Sequence, residues 1–126
     1  MSWTLVSAAI LITGVGLAHS WLGEQFIIRR LLRRADLPKL FGDDSFTRQT
    51  LRFAWHLTTL AWLGLAAVLL VLSGLLPAVR VADGVIFAIA ATFIASALAA
   101  VVFTRARHLS WLAFALIAAL CLITLR

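Results

Sequence analysis

Residues 3–28 read WTLVSAAILITGVGLAHSWLGEQFII, a run in which Glu24 is the one formally charged side chain. A helix over this run is about 39 Å long at 1.5 Å per residue, more than the roughly 30 Å of hydrocarbon in a bilayer. Regular apolar–polar alternation is absent and glycine is sparse, so the run reads as a membrane helix and not as a barrel strand. An ionised side chain at the centre of a span costs roughly 2.5–3.5 kcal/mol, so Glu24 calls for a partner or a role.

Three similar runs follow, at residues 53–76 (closed by Pro77), 81–103 and 109–125. The chain is 63% hydrophobic and 13% charged, with a mean hydropathy of +1.07. Soluble domains average about half apolar and a quarter charged. A globule of 126 residues leaves too much surface exposed to hide that excess, so lipid has to serve as the apolar solvent. The expectation is an all-α membrane protein: one domain over residues 1–126, with four transmembrane helices in an up-down bundle. Gly16-Leu17-Ala18 resembles a signal-peptidase site, but residues 1–18 carry no Lys or Arg, so the first run is expected to stay as a span.

Basic residues are divided unequally between the two ends of these runs. Arg29, Arg30, Arg33, Arg34, Lys39, Arg48 and Arg52 fall in residues 29–52, and Arg105 and Arg107 precede the last run. The opposite side holds only Arg80 and Arg126. Nine against two orients the basic loops to the cytoplasm and both termini to the periplasm, as for a bacterial inner-membrane protein. The pI of about 11.6 expresses this bias. No soluble basic domain is present to grip nucleic acid, whereas anionic lipid headgroups suit Arg29, Arg30, Arg33 and Arg34, whose stems can snorkel.

Within the same loop, Leu37, Leu40 and Phe41 suggest a short interfacial helix. Gly42-Asp43-Asp44-Ser45 then breaks the chain, with Asp44 or Ser45 as N-cap of the next helix. Asp43 and Asp44 read as turn and cap and not as calcium ligands, because the rest of a calcium loop is missing.

The polar residues of the spans carry the chemistry. Counted inward from the basic boundary at 1.5 Å per residue, Glu24 lies about 7 Å inside Arg29 and His56 about 6 Å inside Arg52, with His108 beside Arg107 at a similar level. His19 is deeper. It shares a helix face with Gly16 and Gly23, a face made for close helix contact. Glu24 shares its face with Thr13, Leu17 and Ser20, about 140° away from His19.

Three readings are open. Glu24, His56 and His108 form a two-histidine, one-carboxylate set that suits a divalent transition metal, although no pair has metal-motif spacing on one helix. Alternatively His19 and Glu24, with Ser20 and Thr59 nearby, belong to a path for protons or cations. In the third, Glu24 pairs with Arg52 or Arg107 and the histidines form interhelical hydrogen bonds. Haem would need two imidazoles on facing helices, for which His56 and His108 come closest.

Trp3 fits an outer aromatic belt, and Trp55 and Trp111 an inner one. Trp21 and Trp62 fall deeper, where an indole N–H wants an acceptor. The alanine-rich third run is expected to serve close packing. The lone Cys121 excludes an intrachain disulfide. No nucleophile elbow, phosphate loop or haem-attachment motif is present, and whether the chain is an enzyme stays open. The expected function is binding of a metal ion or small ligand, or proton handling, at the cytoplasmic side. The rival is a non-catalytic accessory subunit, in a homo-oligomer or a larger membrane complex.

Overall fold

The computed structural model describes residues 1–77 and 79–125; Arg126, counted above among the outer basic residues, lies outside them. The described elements are all helical. Helix α1 runs Trp3–Leu31, with a π-helical turn at Glu24–Ile28; α2 is Ser45–Leu72, α3 is Val81–Thr104 and α4 is Ser110–Thr124. The first three are long and apolar enough to cross a membrane, as an integral membrane protein requires, while α4 has 15 residues. At 1.5 Å per residue that is about 23 Å, short of a full hydrocarbon thickness.

The helices pack in chain order: α1 on α2, α2 on α3 and α3 on α4. Among the described residues α1 makes no extensive contact with α3 or α4, so they form an open row and not the closed bundle expected. Lipid explains why this holds together. It is as apolar as leucine, so helices associate through close fit at small residues and through polar ties, and need not enclose a core. The buried apolar positions are accordingly mostly alanine: Ala9, Ala66, Ala88, Ala90, Ala97, Ala100 and Ala118. Four of these lie on α3, which is flanked on both sides, as its composition led one to expect.

Helix α2 begins at Ser45, with Asp44 at the N-cap position as read from the sequence and eight residues ahead of the apolar span; Asp43 accepts hydrogen bonds from the Ser45 N–H (3.0 Å) and hydroxyl (2.6 Å). The helix ends at Leu72, short of the expected residue 76, and Gly74 follows with a φ of +74°, a conformation glycine adopts without strain. Ser73, almost fully buried, accepts the Ser2 N–H at 2.7 Å through its carbonyl and so ties the start of α1 to the end of α2.

The expected interfacial helix is not formed. Residues 35–44 are a turn that closes with Leu40 N–H donating to the Asp43 carbonyl (2.9 Å), with Phe41 and Gly42 at positive φ. Pro38, which has no N–H, and the turn chemistry of Gly42-Asp43 defeat a helix over so few residues. Phe41 and Leu40 remain exposed at the tip. Thr47 donates to the Pro38 carbonyl (2.8 Å) and Arg48 to the Arg34 carbonyl (2.9 Å), folding the loop onto α2. Hydrogen bonds from Arg34 hold the Asp36 carboxyl down at about 2. Those from the Ser45 hydroxyl lower Asp43, and that from Arg48 lowers Asp44. Asp43 serves the turn, and Asp44 stands at the N-cap position but spends its carboxylate on Arg48 and makes no side-chain cap bond.

Candidate functional site

Polar groups collect along the α1–α2 seam at its basic end. Glu24 is the hub: its Oε1 lies 3.1 Å from Arg52 Nη2 and 3.6 Å from Arg29 Nε, and its Oε2 lies 3.4 Å from His56 Nε2. The other imidazole nitrogen, Nδ1, is 2.9 Å from the Ser20 hydroxyl, which lies 2.8 Å from the Thr59 hydroxyl. Thr59, buried, is within 3.1 Å of the Gly16 carbonyl. The connected run is thus Arg52–Glu24–His56–Ser20–Thr59–Gly16, and it descends about 12 Å along α1 between Glu24 and Gly16.

Arg29 reaches Glu24 because of the π turn. Residues five apart on an α-helix lie about 140° apart. A π turn closes its hydrogen bond over five residues, here from Arg29 N–H to the Glu24 carbonyl, and so brings both side chains to one side. Of the expected pairing partners, Arg52 is used. Arg107 instead donates to the Ser45 hydroxyl (3.2 Å) and lies 5.8 Å above the Phe46 ring.

The metal set is not assembled. Glu24 and His56 meet, but His108 does not join them: its Nδ1 pairs with Ser110 (2.8 Å) and its ring packs against Phe46 and Phe53. Among the described residues no group of three His, Cys, Asp or Glu side chains is placed to hold a metal ion. Phe46 and Phe53 lie on the same side of α2 and seat His108 by aromatic stacking, a competition that spacing does not reveal. The bis-imidazole reading fares no better, since both nitrogens of His56 are engaged.

His19 occupies the other flank of the seam. Its ring stacks on Trp55 (centroids 4.4 Å apart, planes within 8°) and meets Trp62 at 5.2 Å. Stacking replaces the expected interhelical hydrogen bond, for Nε2 is buried without a partner. It is the His19 carbonyl that is bonded, accepting the Trp55 Nε1–H at 3.2 Å. Trp55 therefore packs into the seam, and Gly23 lies against its indole. Trp21 is exposed, whereas the Trp111 Nε1 is buried with no partner. Arg30 and Arg33 make no ion pair among the described residues, and Arg34 pairs with Asp36.

The hydrogen-bond directions along the seam depend on the protonation of His56. With His56 neutral, its Nε2–H donates to Glu24 and the Ser20 hydroxyl donates to Nδ1. Thr59 must then supply the hydrogen between the two hydroxyls, at the expense of its bond to Gly16. With His56 protonated, Nδ1–H donates to Ser20, Ser20 to Thr59, and Thr59 to the Gly16 carbonyl. Each hydroxyl has one hydrogen and spare acceptor capacity, so the direction of the whole run follows the imidazole. Comparison with protein-family models, with curated proteins and with solved structures finds no match for this chain.

Proposed function

We propose that this chain is a four-span inner-membrane protein that takes up a proton from the cytoplasmic side at the Glu24–His56 pair. The supporting observation is the unbroken run from Arg52 to the Gly16 carbonyl, in which His56 uses both ring nitrogens. Histidine is the side chain whose ordinary titration falls between about pH 5 and 8. A carboxylate and two hydroxyls aligned with it can pass the consequence inward.

Infrared difference spectra across that pH range, on protein in lipid, test the reading. Imidazole and carboxyl bands are expected to change together, and the coupled change is expected to vanish in His56→Phe. A His56 that is spectroscopically silent between about pH 5 and 8, or a response indifferent to Glu24→Gln, would sink it.

Both termini are assigned to the periplasm and the basic loop to the cytoplasm. In a Cys121→Ala background, Lys39→Cys should resist an impermeant thiol reagent in intact cells, while Val81→Cys should label. The reverse pattern would overturn the orientation.

The open row favours a second reading, in which the outer flanks of α1 and α4 pack against a larger membrane complex and the polar run serves to fasten α1 to α2. A response of His56 that appears only when a co-purifying partner is present would favour it.

A further inference from the structure

Beside the seam, and sharing Arg52 with the run just described, the end of α1, the first turns of α2 and the end of α3 border a cavity of about 350 Å³. Arg48, Gln49 and Arg52 line it from α2 and Arg105 from the end of α3, with Leu32, Val102 and Phe103 as an apolar wall. Two polar atoms here are buried without partners: Arg52 Nε, a donor that an anion's oxygen satisfies, and Gln49 Oε1, an acceptor that it does not. Arg52 spends Nη2 on Glu24, and its Nε–H is left without an acceptor. Buried donors of this kind are ordinarily satisfied, so an acceptor belongs there.

The charges agree. Arg48 is paired with Asp44 and Arg52 with Glu24, whereas Arg105 has no ion-pair partner among the described residues. Its backbone is left-handed (φ +51°), as is that of Ala106 (φ +60°), a conformation that strains a non-glycine residue. That bend turns the chain at the end of α3 and leaves Arg105 lining the cavity with Arg48 and Arg52.

We infer that this pocket holds the phosphate of an anionic lipid headgroup. Guanidinium forks match phosphate oxygens, and a phosphodiester brings the single negative charge that offsets Arg105. The apolar wall indicates lipid as the source. Val102 and Leu98, 72% and 61% exposed, continue from the lip of the pocket along α3 toward the bilayer centre, a track for an acyl chain that free phosphate would not use.

The test counts lipid retained by the purified protein in mixed micelles of phosphatidylglycerol and phosphatidylcholine, by native mass spectrometry. Wild type should retain phosphatidylglycerol in preference to phosphatidylcholine. Arg105→Gly should lower that retention roughly tenfold, the loss of a charge-assisted phosphate contact. The same variant should unfold at an equal or higher temperature, because glycine relieves the left-handed backbone. Arg33→Ala, which removes an exposed loop charge, should leave retention nearly unchanged. Equal retention of the two lipids would overturn the proposal, as would an Arg33→Ala loss as large as that of Arg105→Gly. So would an Arg105→Gly variant that is destabilised yet retains lipid, since Arg105 would then serve only the helix end. Displacement of phosphatidylglycerol by equimolar inorganic phosphate would make the occupant a soluble anion and refute the lipid assignment.

Discussion

Leucine in place of Gly23 is expected to unseat Trp55 and open the α1–α2 seam, the largest single effect foreseen for this chain. Even a lone Cβ at position 23 would overlap the Trp55 indole, which cannot retreat without surrendering its stacking on His19 and its bond to the His19 carbonyl. Overpacking of this kind costs about 1–3 kcal/mol and occasionally more, and the lost indole hydrogen bond adds about 1 kcal/mol. Thermal unfolding in micelles, followed by tryptophan emission, should show the loss. Gly16→Ala makes the contrast, since a Cβ there would rest 3.6 Å from the Thr59 methyl group, an ordinary contact. The depth of Gly84 near the outer end of α3 suggests a tolerant site, but there a Cβ would crowd Val71 and Val79, so Gly84→Leu is expected to be damaging as well. Equal costs for Gly23→Leu and Gly16→Ala would remove the case for an indole seated on glycine.

Glu24→Gln is expected to weaken the fold by about 1–3 kcal/mol, as for a lost charged hydrogen bond. Most of this belongs to Arg52. The Glu24 side chain is 21% exposed and that of Arg52 40%, while the longer pair to Arg29, 51% exposed, is screened by water and contributes little. The loss arises because Arg52 and His56 keep their donors but no longer face an anion. Combining Glu24→Gln with Arg52→Gln should therefore cost less than the sum of the two single changes, a coupling that a double-mutant cycle of unfolding free energies in micelles would measure. Strict additivity would mean that Glu24 and Arg52 do not interact in the membrane.

Hydropathy, charge counting and the Gly42-Asp43-Asp44-Ser45 break located the three long helices to within a few residues, because all three depend on properties local to each stretch. The same local reasoning identified most of the polar run. Glu24, Ser20, His56 and Thr59 stand out because a polar side chain in hydrocarbon has few options. The placement of His108 was not legible. Its level beside Glu24 and His56 follows from counting residues, but its ring is claimed by Phe46, Phe53 and Ser110, and nothing in the spacing ranks those contacts above a metal.

What the sequence by itself determined is which segments leave water, which end of each is basic, and which polar groups must find partners inside. The tertiary structure alone decided how the helices stand to one another. It set an open row in place of a closed bundle, placed Trp55 on Gly23 and His19, and made Arg29 a neighbour of Glu24 through a π turn. The physical reason is that periodicity describes the faces of one helix, whereas the choice of neighbour and rotation rests on fit between helices. In lipid, no hydrophobic force marks one apolar face as inward over another. A single extra residue in one turn then redirects every side chain that follows it.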